Sequence, residues 1–149
     1  MRAVVSRVLA AKCVVEGVVV GECGPGYLVL VGAGLESTDA EAVKLADRIA
    51  GMRVMSDADG KLNLALTDLE MSPLPSVLVI SNFTLYGDAY ASRRPSFTKA
   101  AGYEEGKRLY EVFLGAMKAR LGAVSAGVFG ADMRIESVAD GPVTMILGM

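Results

Sequence analysis

The amino-acid sequence predicts an α+β domain built from a mostly antiparallel, curved sheet or barrel and two main helices. Segments of strand length, rich in β-branched residues, occupy most of the chain. Only two segments show the 3.6-residue spacing of apolar side chains that indicates an amphipathic helix. Because most strands follow one another through turns rather than helices, antiparallel neighbours are favoured. With 149 residues, the chain is expected to form one domain, over residues 1–149.

The first strands are predicted to be separated by glycine-containing turns. Residues 2–9 form the first strand, and apolar residues on both sides of Gly17 indicate a hairpin turn there. Gly24-Pro25-Gly26 marks a second break, and the apolar residues 27–32 that follow predict a buried strand.

The two helices have clear sequence signals. Thr38, with Glu41 three positions later, fits a capping box at the start of the first helix, and Gly51 lies near its end. The second helix is predicted over residues 103–121, where apolar side chains recur on one face.

The remaining segments are predicted to be strands. Met55 to Gly60 lack the spaced ligands and the closing glutamate of a calcium loop, so a turn joining two strands is expected there, followed by a strand through Leu62, Leu64 and Leu66. Residues 76–85 form another strand. The tail, residues 124–149, forms strands with turns at Gly130 and Gly141, which gives seven or eight strands in all.

Composition excludes several kinds of chemistry. There is no histidine, which rules out a Ser-His-Asp triad, a Cys-His pair and a histidine-ligated zinc site. Cys13 and Cys23 are the only cysteines, lack metal-site spacing, and are expected to be buried free thiols. We therefore expect neither a metal nor a cofactor.

Charge and hydropathy bear on location and partners. No apolar run approaches the roughly 20 residues of a membrane span, and the start of the chain lacks a signal-peptide pattern. A cytoplasmic protein without a membrane partner is expected. The net charge of −2 gives no sign of nucleic-acid binding, and DNA is not expected as a partner. A solvated face explains local basic clusters such as Arg93-Arg94 about as well as phosphate contacts do.

The end of the strand over residues 76–85 is a candidate site. The sequence changes there from apolar residues to Ser81-Asn82-Phe83-Thr84. The hydroxyls and the amide could bind a substrate, and backbone N–H groups at a strand end could stabilise an oxyanion. An edge strand with outward polar residues would show the same pattern.

Five motifs together resemble one family. "SNFTLYGD" (81–88) is similar to the SQFTL signature of the D-aminoacyl-tRNA deacylases, and "DGPVT" (140–144) is similar to their Gly-Pro signature. The segments "RRPSF" (93–97), "DADGKLNL" (57–64) and "VVSRV" (4–8) also match the family pattern, in the same order. Each motif alone is weak, but the ordered set is specific and covers essentially the whole chain.

The resemblance implies a fold, an activity and site residues. The family hydrolyses the ester between a D-amino acid and the 3′-terminal adenosine of tRNA, spares L-aminoacyl esters, and forms homodimers with the deacylase fold. Ser81, Asn82, Phe83 and Thr84 would form the catalytic segment. The cis Gly141-Pro142 pair of one subunit would enter the partner's pocket, hold the substrate's amino group and reject an L side chain. Arg7 would brace that pair.

Mechanistic alternatives stay open. Main-chain groups would dominate the pocket, with the ribose 2′-hydroxyl assisting the attack of water. Thr84 would be a ligand or an orienting group, or else a nucleophile, although no base is identifiable. Glycine mischarged onto tRNA would also pass such a pocket.

The sequence departs from the family pattern at two positions. Asn82 stands where the family commonly has Gln, and Ala139 where it often has Asn. The alternative function is a non-catalytic dimeric module that binds an amino acid or an RNA 3′ end.

Overall fold

The computed structural model describes residues 1–69, 76–90 and 92–148. These contain two α-helices, α1 (Asp39–Ala50) and α2 (Tyr103–Leu121). They also contain eight strands: β1 (Arg2–Val15), β2 (Val18–Cys23), β3 (Gly26–Gly32), β4 (Met55–Ser56), β5 (Leu62–Leu64), β6 (Val77–Ser81), β7 (Ser125–Ala126) and β8 (Arg134–Gly148). Two short 3₁₀ turns, Leu66–Asp68 and Phe83–Tyr86, complete the order.

The long strand β1 organises the main sheet. β3 and then β2 pair antiparallel with successive parts of one edge, and β8 pairs antiparallel with β1 from Arg2 to Val14. β6 and β7 extend the sheet in parallel from β3. The far strands meet, since a Cβ on Gly21 of β2 would lie 2.5 Å from the Ala126 carbonyl oxygen of β7. The predicted α+β fold with a curved, mostly antiparallel sheet is confirmed, with two parallel pairs added.

Two apolar clusters form the core. The larger lies between the sheet and the two helices, and includes Tyr27, Leu45, Ile49, Leu109 and Phe113. The smaller includes both cysteines with Leu28, Leu78 and Ile80. Cys13 and Cys23 are buried free thiols, as predicted. Burial raises the pKa of Cys23 to about 11, so this thiol stays protonated at neutral pH. In the part of the chain described, no helix is long and apolar enough to cross a membrane.

Local sequence signals set the helix ends. Thr38 Oγ1 accepts a hydrogen bond from the Glu41 N–H at 3.3 Å, and the Glu41 carboxylate accepts one from the Thr38 N–H at 3.4 Å. Gly51 caps the C-terminus of α1. The capping box and both helices are therefore confirmed, α2 with the predicted bounds.

Two strand predictions outside residues 76–85 have wrong bounds. The first strand does not end at residue 9 but continues to Val15, where the predicted turn at Gly17 leads into β2. Leu66 does not continue the strand of Leu62 and Leu64. It begins a 3₁₀ turn, because the Asp68 carboxylate accepts a hydrogen bond from the Ala65 N–H at 2.9 Å and draws the chain round.

The predicted turn over Met55 to Gly60 is confirmed around Asp57, but its first two residues form strand β4. The Asp57 carboxylate accepts hydrogen bonds from the N–H groups of Asp59 and Lys61, both at 3.0 Å, and from the Asn63 amide at 3.1 Å. These bonds, first among them the one from Lys61, lower the pKa of Asp57.

Of the two turns predicted in the tail, the structure contains one. Gly130 lies in a turn closed by a hydrogen bond from the Ala131 N–H to the Val128 carbonyl at 3.2 Å. The prediction for Gly141 is wrong, because this residue lies inside the continuous strand β8. The pairing of β8 with β1 shifts register on either side of Val8, and Gly141 adopts φ +124°. It therefore marks an irregularity within a strand.

Candidate active site

The candidate segment leaves the sheet earlier than predicted. β6 ends at Ser81, and the 3₁₀ turn Phe83–Tyr86 follows in place of the expected strand to residue 85. Asn82 causes the change. Its Oδ1 accepts hydrogen bonds from both the N–H of Thr84, at 3.2 Å, and the Thr84 hydroxyl, at 2.5 Å. A short amide side chain that bonds to its own backbone two residues later favours a turn over a strand.

Backbone contacts with the neighbouring strand β3 hold the start of this turn in place. The Asn82 N–H donates to the Val31 carbonyl at 2.7 Å, which continues the parallel pairing of β3 with β6 by one step. A Cβ on Gly32 would lie 2.5 Å from the Asn82 carbonyl oxygen. Only glycine at position 32 lets the two backbones approach this closely.

Ser81, Asn82, Phe83 and Thr84 line one wall of a cavity of about 880 Å³. The structure therefore brings the four predicted catalytic residues together on one surface. Asp132 is the one carboxylate among the described residues that line the cavity.

An aromatic wall faces the same cavity. The Phe129 ring packs edge-on against Tyr103, with ring centroids 5.2 Å apart, and tilted against Tyr110 at 5.7 Å. Gly130 has φ +78°, and a Cβ there would meet the Tyr103 ring at 2.8 Å. The Tyr110 hydroxyl donates to the Val79 carbonyl at 3.0 Å, and burial raises the pKa of Tyr110. The sequence predicted the turn at Gly130 but gave no signal that α2 and this turn meet at a site.

The second predicted group, Arg7 with Gly141 and Pro142, lies on β1 and β8. Arg7 is only 8% exposed. Its Nε lies 3.0 Å from the Asp140 carboxylate and donates to the Asp140 carbonyl at 3.3 Å. Its Nη1 donates to the Val54 carbonyl at 2.9 Å. The guanidinium thus holds the backbone next to Gly141, and the Gly141-Pro142 peptide bond is cis.

Within one chain the two groups are separate. Ser137 of β8 lines the cavity, whereas Gly141 and Pro142 are not among the described residues of the lining. Gly141 lies four residues beyond Ser137 along the strand, a distance of roughly 13 Å at the usual rise per residue. Both Gly141 and Pro142 are exposed. The cis pair is therefore exposed on the surface and does not belong to the described lining of its own chain's cavity.

Comparison with known proteins places the chain in one family. The family model described as D-Tyr-tRNA(Tyr) deacylase matches residues 4–148. A protein of Pelobacter propionicus named D-aminoacyl-tRNA deacylase is 48% identical over 147 residues, which is 99% of each chain. A solved structure titled c-Myc DNA Unwinding Element Binding Protein superposes with a TM-score of 0.89 at 32% identity, covering 100% of this chain and 99% of that one.

A second solved structure supports the fold alone. It is titled "Structural Analysis of a probable eukaryotic D-amino acid tRNA deacylase" and superposes with a TM-score of 0.79 at 16% identity, covering 98% of this chain and 97% of that one. The resemblance predicted from the five motifs is confirmed. The chain is a member of the D-Tyr-tRNA(Tyr) deacylase family.

Proposed function

We propose that this protein is a hydrolase that cleaves the ester bond of D-aminoacyl-tRNA, releasing the free D-amino acid and tRNA. The observation that carries the proposal is the cavity in which Ser81, Asn82, Phe83 and Thr84 lie together, in a chain of this deacylase family. Its role would be chiral proofreading in translation, since L-aminoacyl esters would be spared. Glycyl-tRNA would also be accepted, because glycine has no side chain to exclude.

The reaction proposed is addition of water to the ester carbonyl. The C–O bond to the ribose then breaks, and the ribose oxygen leaves with a proton. The chain has no histidine, so we assign acceleration to orientation of water and to backbone N–H groups of the Ser81–Thr84 segment that stabilise the oxyanion. One such donor contributes about 10²–10³ in rate. The N–H groups of Asn82 and Thr84 are excluded from this role, because they already donate to the Val31 carbonyl and to Asn82 Oδ1. The ester itself is labile, which lowers the acceleration required.

The aromatic wall is suited to the terminal adenine. Phe129 and Tyr103 line the same cavity as the polar segment. A base stacked on an aromatic side chain gains roughly 1–3 kcal/mol. With the adenine on this wall, the ester would lie in the same cavity as Thr84.

We infer that chiral selection requires a second copy of the chain. Gly141 and Pro142 are exposed and are not among the described residues that line their own chain's cavity. One edge of β8 pairs with β1, and within the described residues no strand covers its other edge. β8 also exposes Val138 and Ile146, at 55% and 84%. We assign this edge to a homodimer in which the carbonyls of the pair close the partner's cavity to an L side chain, with Arg7 as the brace.

The activity is tested with purified protein and D-Tyr-tRNA, with L-Tyr-tRNA as the control substrate. Hydrolysis of the D ester with the L ester spared is the expected result. If no D-aminoacyl ester is turned over, the function proposed here is wrong.

The shared site is tested by mixing two variants. Phe129→Ala damages the cavity, and Gly141→Ala damages the pair. If each cavity is completed by the partner, mixed dimers contain one intact site, and roughly a quarter of wild-type activity returns after random mixing. If the pair served its own chain's cavity, no mixed dimer would contain an intact site and no activity would return.

The alternative function is a non-catalytic dimeric binding module. Tight binding of a D-aminoacyl-adenosine amide, without turnover of the corresponding ester, would favour it. A DNA strand is a suitable competitor in this assay, because the name of the 32% identical neighbour refers to a DNA element. Displacement of the amide by DNA would contradict the prediction that DNA is not a partner.

A further inference from the structure

A short hairpin lies next to the cavity and is not part of it. We define the basic hairpin by residues 88–90 and 92–96, since Ala91 lies outside the described residues. Two backbone hydrogen bonds, both 2.8 Å, pair Asp88 with Ser96 and close its base. Arg93, Arg94 and the fully exposed ring of Tyr90 project from it.

The positive charges of the two arginines in the hairpin are not neutralised by any acidic side chain among the described residues. Neither guanidinium has an ion-pair or hydrogen-bond partner among the described residues, whereas Arg7, Arg108 and Arg120 each contact a carboxylate. The acid at the base of the hairpin, Asp88, is paired with Lys99 at 3.2 Å. The hairpin therefore presents two adjacent positive charges to solvent in a chain whose net charge is −2.

Packing joins the hairpin to the candidate active site. Phe97, directly after the hairpin, packs edge-on against Phe83 with ring centroids 5.1 Å apart. Phe83 lines the cavity and is still 58% exposed. At the other end, a Cβ on Gly87 would lie 2.9 Å from the Phe97 ring, so this glycine admits the contact. Both ends of the hairpin are thus fixed to the segment that carries Thr84.

We propose that the basic hairpin is a docking surface for RNA. Arg93 and Arg94 contact phosphates of the single strand that leads to the terminal adenosine in the cavity, and Tyr90 offers its ring to a base. Exposed aromatic rings beside guanidinium groups are the usual means by which proteins hold single strands without reading sequence. The inference rests on the proposed function, since it extends the tRNA substrate beyond its last nucleotide.

The main experiment compares two substrates that share the ester but differ in RNA. kcat and KM are measured for D-Tyr-tRNA and for the D-tyrosyl ester of adenosine, with wild type, Arg93→Ala/Arg94→Ala, and a matched control, Lys44→Ala/Arg48→Ala. The control removes two exposed positive charges from α1, which contributes no residue to the described cavity lining. Net charge changes equally in both variants.

The hairpin variant should lose about tenfold or more in kcat/KM on D-Tyr-tRNA, through KM, and nothing on the adenosine ester. The logarithm of its KM should also depend less on the logarithm of salt concentration, by roughly 1.4 for two lost contacts to a single strand. The control variant should match wild type on both substrates. Equal losses on both substrates, or equal losses in both variants, would overturn the docking role.

A binding measurement separates this inference from the proposed function. Fluorescence anisotropy measures binding of an RNA stem-loop that carries no amino acid and ends in single-stranded CCA, so it requires no turnover. If wild type hydrolyses no D ester but the hairpin variant binds this RNA more weakly than the control variant, the proposed activity is wrong and the proposed docking surface for RNA is supported. If the hairpin variant binds the RNA as wild type does, with the same salt dependence, the RNA surface is wrong whatever the activity.

Discussion

The Oδ1 atom of Asn82 accepts hydrogen bonds from both the N–H and the hydroxyl of Thr84. A backbone N–H can only donate, so the atom it faces must be the amide oxygen rather than the amide nitrogen. The Thr84 hydroxyl must then be the donor in the second bond. Its lone pairs remain for the cavity, but its proton is held by an amide oxygen, which is a very weak base. Thr84 is therefore arranged as an acceptor and not as an activated nucleophile.

The first prediction concerns Thr84. Thr84→Val removes the hydroxyl but keeps the N–H that Asn82 caps, so the turn should persist. We expect kcat on D-Tyr-tRNA to fall by less than about tenfold, the scale of one neutral hydrogen bond, with no covalent intermediate in rapid-quench experiments. A loss above 1,000-fold that Thr84→Ser restores would identify Thr84 as the nucleophile and contradict this assignment.

The second prediction concerns Gly141. Its φ of +124° is unfavourable for any L side chain, and an added Cβ would lie 2.7 Å from the Val143 nitrogen. Gly141→Ala should lower the free energy of unfolding by about 1–3 kcal/mol and abolish turnover of the D ester. Gly148→Ala, on the same strand, has no atom within 4 Å of the added Cβ and should be neutral in both assays. Chemical denaturation and ester hydrolysis measure the two effects.

The third prediction concerns Arg7, the one charged side chain that is buried in the described residues. Arg7→Met leaves the Val54 carbonyl without its donor and Asp140 without its cation. The free energy of unfolding should fall by about 2–3 kcal/mol, less than for a fully buried pair because Asp140 is 39% exposed. Selectivity for the D ester should weaken, since the backbone at Gly141 loses its brace.

Arg134→Met is the matched control for Arg7→Met. Arg134 also lies on the β1–β8 pair, but its ion pair with Glu136 is exposed. Such pairs contribute less than about 1 kcal/mol. If both variants lose the same stability, burial of Arg7 is not what makes its contacts matter.

The sequence predicted what depends on neighbouring residues and missed what depends on distant ones. The capping box of Thr38 and Glu41, and the bounds of α2, are local and were predicted. The Asn82 turn was also locally encoded, but the apolar run before it favoured a continuing strand. Phe129 and Tyr103 are 26 residues apart, and only the packing of α2 against the sheet brings them to one cavity. A turn was predicted at Gly141 because the sequence around it does not show that β8 continues. The strand that pairs with β8 on both sides of this glycine, β1, lies at the other end of the chain.

The fourth prediction concerns stability at high pH. Tyr27 is buried and donates to the Met52 carbonyl at 3.0 Å, and burial raises its pKa to about 12 although the charge of Arg7 opposes the shift. In the unfolded chain a tyrosine has a pKa of about 10. Because the pKa of Tyr27 is higher in the folded state than in the unfolded chain, its protonated hydroxyl contributes fully to the free energy of unfolding below pH 10. This contribution is lost as the pH rises towards 12. Each such tyrosine should lower the free energy of unfolding by about 1.4 kcal/mol per pH unit between these two pKa values.

Buried Tyr110 has its pKa raised for the same reason and adds to the same loss. Urea denaturation between pH 8 and 12 measures the slope. Tyr27→Phe should be less stable than wild type at pH 8 by about 1 kcal/mol, through the lost hydrogen bond, but should lose less stability between pH 10 and 12. Tyr90→Phe is the control, because this side chain is fully exposed and removal of its hydroxyl should leave the slope unchanged. If Tyr27→Phe kept the wild-type slope, Tyr27 would ionise in the folded protein as readily as in the unfolded chain.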